Sequence, residues 1–308
     1  MNRHNTPLRY PGGKQRLAPF VAELLRANKL LGAHYAEPYA GGAGVAIHLL
    51  LSRQVEHIYL NDSSPAIYAF WRSIQRKADE FCLRIAGASL TVEEWRRQRH
   101  ILTHPKGFSQ IEVGFSLFYL NRCNRSGIPN GGVIGGLSQQ GRWKMDARFP
   151  RNELIRRVEA IAHNRERITV TNLDAELFIR SHVRKLPRRT LVYCDPPYYH
   201  ESTRLYLNYY KPDDHVGLAT TIQRYLKRPW LVSYDNVPEI RKLYAKRRCI
   251  LCKVQYNAAR AYTGTEVFFV SDGLKLPDGA SGPWLAGLRD KRVPLGHPAA
   301  HPRFVPVS

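Results

Sequence analysis

The most informative stretch of the sequence reads Leu191-Val192-Tyr193-Cys194-Asp195-Pro196-Pro197-Tyr198-Tyr199. Its four apolar or aromatic residues run into an acid and two prolines, and prolines cannot continue a hydrogen-bonded strand. We therefore predict a short buried strand that presents Asp195 at its carboxyl end. Ligands of open α/β sheets bind at that edge, which makes Asp195 a candidate active-site residue.

The turn after this strand suits a planar ligand that carries an amino group. The Asp195 carboxylate and the backbone carbonyls of Asp195 and Pro196 only accept hydrogen bonds, and Tyr198 offers a flat aromatic face. Adenine and cytosine both combine a ring with such an amine. The alternative is an ordinary exit from a strand with an acid at the surface, because Asp-Pro commonly opens turns.

Composition and charge favour a globular protein that binds a polyanion. The 308 residues are 44% hydrophobic and 23% charged, which is ordinary for globular chains and allows one large α/β core with a smaller lobe, or two domains. The 47 Lys and Arg against 25 Asp and Glu give a net charge of +22, and nucleic acid is the simplest partner for such a surface. Charge alone does not separate DNA from RNA or from an acidic membrane.

The cysteines and the first residues favour a cytoplasmic protein. Five cysteines, an odd number, do not resemble a disulfide framework, and Cys249 and Cys252 fit the interior of a strand better than a metal or redox pair. The first residues lack the apolar run of a signal peptide, and no segment reaches the length of a membrane span. We expect a soluble protein without a metal site.

An irregular loop, Tyr10-Pro11-Gly12-Gly13-Lys14, precedes an amphipathic segment over residues 17–31. Its glycines let the backbone approach a ligand closely. Lys14 near a helix start suits an anionic small molecule, since the helix dipole adds to the lysine charge. A plain turn with a solvated lysine is the alternative.

A second glycine-rich stretch, Glu37-Pro38-Tyr39-Ala40-Gly41-Gly42-Ala43-Gly44, joins a short strand to an apolar helix. This pattern is typical of the opening of a nucleotide-binding half-sheet. Glu37 would repel phosphate, so a cofactor with a nucleoside and a cationic amino-acid part suits the stretch better than a dinucleotide. We predict cofactor contacts at Glu37, Gly41, Gly42 and Gly44, with a tight helix-capping turn as the alternative.

Asp62 follows the next predicted strand, over residues 55–60, and lies 18 residues beyond Gly44. An acid at about this interval commonly accepts hydrogen bonds from a ribose. The run Asn61-Asp62-Ser63-Ser64-Pro65 also fits a cap for the following helix. Both roles are compatible, with a serine capping and Asp62 binding.

From residue 78 a basic, helical pattern replaces the alternation of strands and helices. Residues 95–167 contain 14 Lys and Arg against 5 Asp and Glu. We predict an inserted target-recognition domain over residues 78–164, with a buried helix over 115–120, a polar turn over 121–127 and a glycine-rich hairpin or loop over 129–144. The candidate DNA contacts are Asn121, Arg122, Asn124, Arg125, Arg142 and Lys144. A solvated helical insertion with a loop is the alternative.

Strands resume after this region. We predict strands over residues 167–173, 230–235, 249–254 and 266–270, and a helix over 213–227. A connection over residues 256–265 is expected to line the target pocket. The catalytic domain would then comprise residues 1–77 and 165–273, followed by a proline-rich tail over 274–308.

In their joint order these motifs resemble those of the DNA adenine-N6 methyltransferases of the DNA adenine methylase type, the alpha group. The motifs are the aromatic-x-Gly-Gly-Lys of residues 10–14, the glycine-rich loop of 37–44, the basic lobe, and Asp-Pro-Pro-Tyr at 195–198. The resemblance covers about residues 8–270. It implies a Rossmann-like, S-adenosylmethionine-dependent methyltransferase sheet with an inserted, mainly helical DNA-recognition lobe that acts on double-stranded DNA.

The resemblance also implies roles for individual residues. Tyr10 and Lys14 match family positions that contact S-adenosylmethionine, Asp62 matches the acid on its ribose, and Asp195 matches the catalytic acid close to the cofactor. The catalytic motif is Asp195, Pro196, Pro197 and Tyr198. A flipped adenine would stack on Tyr198 and donate its amine hydrogens to Asp195 and the Pro196 carbonyl.

The chain departs from the family pattern at two motifs. Tyr10 stands where the family usually has tryptophan or phenylalanine, and the Phe-x-Gly-x-Gly of the second motif is replaced by residues 39–44. The recognition lobe corresponds only near Asn121 and Arg122, so a target sequence does not carry over. The alternatives are a cytosine-N4 or RNA amino-methyltransferase and a catalytically inactive DNA-binding relative. A restriction endonuclease partner, or a phage or host modification context, is a further expectation.

Overall fold

The computed structural model describes residues 6–9, 14–199, 210–257 and 261–277. These residues form a single mixed sheet that is covered by helices. Within these residues the strands are β1 (Ala33–Glu37), β2 (Val55–Asn61), β3 (Ile168–Thr171), β4 (Thr190–Cys194), β5 (Trp230–Asp235), β6 (Arg248–Asn257) and β7 (Ala261–Val270). Their order is β3-β2-β1-β4-β5-β7-β6, and all neighbours are parallel except β7, which runs antiparallel to β5 and β6. The direction of strand progression reverses between β1 and β4, which is where ligands bind in such sheets.

The strand β4 forms the centre of the sheet. All of its residues are buried, and it pairs with β1 through Val192 and Ala36 and with β5 through Val192 and Trp230. Leu191 and Tyr193 face one apolar layer, whereas Val192 and Cys194 face the other. A continuous apolar run is typical of a parallel strand that is covered on both faces.

Helices cover both faces of the sheet. They are α1 (Ala18–Ala27), α2 (Gly44–Leu51), α3 (Pro65–Arg76), α4 (Ala78–Ala86), α5 (Val92–Thr103), α6 (Gln110–Cys123), α7 (Arg151–Ala162), α8 (Ala175–Leu177), α9 (Pro212–Tyr225) and α10 (Pro238–Leu243). Helices α1 to α7 contribute to the apolar layer on one face, and α9, α10 and the residues just after α8, Phe178 and Ile179, contribute to the layer on the other. None of the described helices is both long and apolar enough to cross a bilayer.

Helices α4 and α6 pack onto α3 through an aromatic cluster, whereas α5 packs on α6, and α7 packs on α3 and α4. The rings of Phe70 in α3 and Phe118 in α6 stack with their centroids 6.1 Å apart, and Phe81 in α4 meets Phe118 edge-on at 5.5 Å. Close contact is possible because α6 carries Gly114 there: a Cβ on it would lie 2.8 Å from the backbone of Ala69. One continuous core therefore joins this region to the sheet, and the division into a recognition domain over 78–164 stays a prediction.

The structure corrects the boundaries of several predicted elements. The helix predicted over 115–120 is longer in the structure, where α6 spans Gln110–Cys123. Helix α1 ends at Ala27 rather than near residue 31, because Lys29 (φ 55°) and Gly32 (φ 67°) turn the chain. The connection predicted over 256–265 is wrong, since β6 and β7 pair through Asn257 and Ala261. Only residues 258–260 join the two strands, and they lie outside the described residues.

The predicted loop over 129–144 is confirmed as a turn-rich segment, with a single bridge from Val133 to Asn124. The first residues of the predicted tail pack on the core: Leu274 is buried, and the Lys275 backbone donates a 2.8 Å hydrogen bond to Asn28. Residues 278–308 lie outside the described residues.

Candidate active site

Three acids lie at the carboxyl edge of the sheet, beside the point where the strand order reverses. Glu37 is the last residue of β1, Asp62 follows β2, and Asp195 follows β4. Because these strands are parallel neighbours, their carboxyl ends meet at one edge. The corresponding acid after β3, Asp174, instead caps α8 by accepting a 3.0 Å hydrogen bond from the Leu177 backbone.

Asp195 is held through one of its two carboxylate oxygens. Ser233 of β5 donates a 2.5 Å hydrogen bond to Oδ1, and Lys14 Nζ lies 3.6 Å from the same oxygen. Within the described residues Oδ2 accepts no hydrogen bond, and the side chain is 28% exposed. Burial raises the pKa of Asp195, while Lys14 and the Ser233 hydroxyl oppose the rise. One acceptor oxygen is thus oriented by the protein, and the other has no hydrogen-bond donor among the described residues.

Lys14, Tyr198 and Glu266 form a buried cluster next to Asp195. Lys14 Nζ lies 2.5 Å from Glu266 Oε1 and also donates to the Tyr198 hydroxyl, which donates to the same Glu266 oxygen. Burial opposes the charge on Lys14, yet the carboxylates of Asp195 and Glu266 together raise the pKa of its ammonium above the ordinary value. The cluster holds the tyrosine of the Asp-Pro-Pro-Tyr motif in place.

Glu266 was missed by the sequence analysis. It lies in β7 opposite Asp235 and is fully buried. The signal was present, because an acid directly before the apolar run of residues 267–270 is unusual for a buried strand. Its partner Lys14 lies 252 residues away in the sequence, so no local pattern connects the two.

The end of the Asp-Pro-Pro-Tyr motif is also fixed. The Tyr199 backbone donates a 3.0 Å hydrogen bond to Asp235 Oδ1, and Tyr198 is only 6% exposed. The prolines 196 and 197 lie between these anchors and Asp195. Tyr10 and the residues 11–13 that precede Lys14 lie outside the described residues, so the predicted cofactor contact of Tyr10 stays a prediction.

Glu37 binds the start of α2. Its Oε1 accepts hydrogen bonds from Tyr35 (3.0 Å) and from the Ala46 backbone (3.1 Å). Burial raises the pKa of Glu37 to about 8, and nearby Asp195 adds to the rise. A buried carboxyl with such a pKa readily loses its proton to pair with a cationic ligand group.

Asp62 shapes the glycine-rich loop. It accepts 2.9 Å hydrogen bonds from the Gly41 backbone and from the Ser64 backbone, and Ser64 caps α3. Burial raises the pKa of Asp62 to about 6 against the effect of these two bonds. The predicted cap by a serine is confirmed, and the ribose contact of Asp62 stays a prediction.

The glycines of the loop differ in their structural roles. Gly41 adopts a left-handed conformation (φ 45°), which favours glycine. Gly44 starts α2 against the N-terminal turn, which spans Lys14–Leu17, and a Cβ on Gly44 would lie 2.9 Å from Gln15 Cβ and 3.2 Å from the Gln15 backbone. The Gly42 carbonyl accepts a 2.6 Å hydrogen bond from Thr6. The loop is therefore held from both sides.

Two of the predicted DNA contacts are used inside the protein. Asn121 is buried; its Oδ1 accepts a 2.7 Å hydrogen bond from the Arg9 backbone, and its Nδ2 donates to the carbonyls of Arg9 (2.6 Å) and Gly127 (2.8 Å). Arg122 is also buried and donates to the Pro7 carbonyl. This corrects the sequence-based assignment: both side chains attach the N-terminal segment to α6.

Asn124 is a third correction. It is fully buried, accepts a 2.7 Å hydrogen bond from Trp95 Nε1 and donates to the carbonyls of residues 128 and 129. The remaining predicted contacts, Arg125, Arg142 and Lys144, are exposed. The six predicted contacts thus divide into a buried support, formed by two residues at the end of α6 and Asn124, and an exposed basic group beyond α6.

One family model matches the chain over residues 10–258, and its description is D12 class N6 adenine-specific DNA methyltransferase. No curated protein matches the chain. The match begins at the aromatic-x-Gly-Gly-Lys motif and includes the whole edge of the sheet at which Glu37, Asp62 and Asp195 lie.

Several solved structures are similar at low identity. They include the rRNA methyltransferase AviRa from Streptomyces viridochromogenes, at 15% identity over 85% of this chain and 85% of that chain, with a TM-score of 0.36. The methyltransferase domain of bacterial CtHen1 matches at 9% identity over 84% of this chain and 98% of that one (TM-score 0.37). A conserved hypothetical protein of Streptococcus pyogenes matches at 12% identity over 79% and 88% (TM-score 0.32). Scores this low carry no argument about function.

The order of the strands, the acids at their carboxyl edge and a family match over more than half of the sequence agree with one another. The chain belongs to the D12 class of N6 adenine-specific DNA methyltransferases.

Proposed function

We propose that this methyltransferase uses S-adenosylmethionine to methylate the exocyclic N6 amine of an adenine that is flipped out of double-stranded DNA. One observation carries the proposal. Asp195 stands at the reversal point of the sheet with Oδ1 bound by Ser233 and with its side chain 28% exposed. Within the described residues Oδ2 is open, so it offers a fixed acceptor for one amine hydrogen.

The fit of the cofactor rests on the chemistry of the edge. The glycine-rich loop lies between Glu37 and Asp62, and neither acid has a basic partner among the described residues. Asp62 and the backbone of the loop would hold the nucleoside part, and Glu37 would face the cationic amino-acid part. S-adenosylmethionine supplies an electrophilic sulfonium methyl group when bound. Two acids suit its positive charge, because a cationic ligand favours their ionised forms.

The protein groups would make the amine nucleophilic. The lone pair of the adenine N6 atom is delocalised into the ring, so the free amine is a poor nucleophile. Hydrogen bonds from the amine to Asp195 Oδ2 and to the Pro196 carbonyl favour a tetrahedral nitrogen with a localised lone pair. Tyr198, fixed by Lys14 and Glu266, would stack against the flipped base and set its orientation.

The substrate is tested by following a labelled methyl group. Purified protein with labelled S-adenosylmethionine is incubated with duplex DNA, single-stranded DNA and RNA of mixed sequence, and the products are digested to nucleosides. The proposal predicts N6-methyladenine from duplex DNA. Label in N4-methylcytosine or in RNA would instead identify one of the alternative amino-methyltransferases. No transfer to any panel member would identify an inactive relative.

A further inference from the structure

A concave surface on the inserted helices is separate from the edge of the sheet. It encloses about 620 Å³ between α5 and the turn-rich segment after α6. Its lining includes Arg96, Arg99 and His100 of α5, together with Arg125, Val133 and Leu137. We call this surface, formed by α5 and residues 125–137, the α5 groove.

The α5 groove carries positive charge that no acidic residue of its lining neutralises. None of its lining residues is acidic, and the three arginines are exposed and form no salt bridge within the described part of the chain. On the same helix Arg97 behaves differently, because it lies outside the groove and pairs with Glu94 at 2.9 Å. The unpaired arginines of α5 thus gather on the groove side.

The floor of the groove is apolar. Val133 is buried in it, Leu137 is 58% exposed at its side, and the Arg99 guanidinium lies 5.3 Å from the ring of Trp95. A cationic rim above an apolar floor matches a sugar-phosphate strand, whose phosphates are anionic and whose sugars and base edges are not. A small inorganic anion would leave most of such a floor empty.

The two walls of the groove are tied together before any ligand binds. Asn124 accepts the Trp95 indole hydrogen bond at 2.7 Å, donates to the carbonyls of residues 128 and 129, and bridges to Val133. A preformed groove binds without the cost of ordering its walls. Asn124 therefore supports this surface from beneath.

We propose that the α5 groove binds the sugar-phosphate backbone of the substrate DNA, with Arg96, Arg99 and Arg125 at its phosphates. The proposal rests on the proposed function and adds a second contact region to the exposed residues Arg142 and Lys144. It assigns to α5 a role in affinity, without a role in the chemistry at Asp195.

The test compares two variants of α5 by duplex binding over a series of salt concentrations. Each phosphate contact contributes about 0.9 to the slope of log affinity against log salt concentration. The double variant Arg96→Gln/Arg99→Gln should lower the slope by about 2 and weaken binding roughly 50-fold at 0.1 M salt. The control Arg97→Gln removes one charge from the same helix and should alter affinity by less than about threefold, because Arg97 lies outside the groove, pairs with Glu94 and makes no proposed phosphate contact.

Further measurements separate a lost DNA contact from a folding defect and from a nucleotide site. S-adenosylmethionine binding and the melting temperature of the double variant should equal those of the wild type, and methyl transfer at saturating DNA should be retained. A double variant with the slope and affinity of Arg97→Gln would overturn the proposal. The proposal would also be overturned if millimolar adenosine monophosphate competed for a site that depends on the two arginines, while the affinity for duplex did not depend on them. Because binding needs no turnover, the predicted decrease in slope between the wild type and the double variant, found for a wild type that methylates nothing, would count against the proposed function alone.

Discussion

At the scale of single residues, the position of the Lys14 ammonium group bears on whether the Asp195 carboxylate can accept a hydrogen bond from a substrate. Lys14 Nζ lies 2.5 Å from Glu266 and 3.6 Å from Asp195. Without the Glu266 charge, the ammonium would move toward Asp195 and compete with the substrate amine for its carboxylate. We therefore propose that Glu266 acts as a positioning residue for both Asp195 and Tyr198.

We expect Glu266→Gln to lower kcat by about 100-fold, in the range found for removed electrostatic support. The pKa of Lys14 should fall toward its ordinary value, since a raising carboxylate is lost. Single-turnover methyl transfer measures the rate, and calorimetry checks that cofactor binding is kept. The exposed Glu239→Gln is the charge-matched control. An unchanged rate in Glu266→Gln would show that Lys14 does not need this partner.

The raised pKa of Glu37 leads to a separate prediction about the pH dependence of cofactor binding. Its pKa of about 8 means that the carboxyl is mostly protonated at pH 7 in the free protein. A cationic ligand favours the ionised form, so binding should release a proton, and affinity should rise with pH until the pH exceeds about 8. Calorimetry of S-adenosylmethionine binding in buffers of different ionisation enthalpy counts the protons. We expect release in the wild type and a clear loss of release in Glu37→Gln; equal release in both proteins would remove Glu37 from the cofactor site.

At the scale of elements, the sequence predicted the carboxyl edge of the sheet but not the contacts between α6 and the N-terminal segment. The apolar run before Asp195 predicted β4, and the glycine-rich stretch predicted the loop between β1 and α2. Asn121, Arg122 and Asn124 looked like DNA contacts, because polar residues after a buried helix commonly are exposed. Their partners include the backbone of Arg9, 112 residues away, and such a contact leaves no periodic signal in the sequence.

The contact between α2 and the N-terminal turn gives a prediction at this scale. In Gly44→Ala the new Cβ would lie 2.9 Å from Gln15 Cβ and 3.2 Å from its backbone, so the turn that carries Lys14 must shift. We expect a loss of about 1–3 kcal/mol in the free energy of unfolding and a reduced kcat. Chemical denaturation and single-turnover assays measure the two effects.

Gly87→Ala is the control for this variant, since its Cβ would meet only the Leu83 carbonyl at 3.4 Å. If Gly44→Ala matched the control in stability and rate, the packing of α2 on the turn would not position Lys14.

At the scale of the whole molecule, the short segment 6–9 connects the glycine-rich loop to the inserted helices. Thr6 donates a hydrogen bond to the Gly42 carbonyl of that loop at 2.6 Å, whereas the backbones of Arg9 and Pro7 bind the side chains of Asn121 and Arg122 of α6. The segment thus fastens the inserted helices to the loop. The net charge of +22 predicted a polyanionic partner, but charge carried no information about which arginines support the fold.

The variant Asn121→Ala tests this structural role. Removing the side chain leaves the Arg9 backbone groups without partners, so we expect a loss of about 1–3 kcal/mol in the free energy of unfolding. The salt dependence of duplex binding should keep its wild-type slope, because no phosphate contact is removed. A stable variant with a flatter slope would return Asn121 to the DNA interface.

The proposed function depends above all on Asp195 accepting the amine of the target adenine. The decisive measurement is single-turnover methyl transfer from labelled S-adenosylmethionine to adenine N6 in duplex DNA, by the wild type and by Asp195→Ala. We expect transfer by the wild type and a loss of at least about 100-fold in the variant, with duplex binding retained. Near-normal transfer by Asp195→Ala would contradict this role of Asp195.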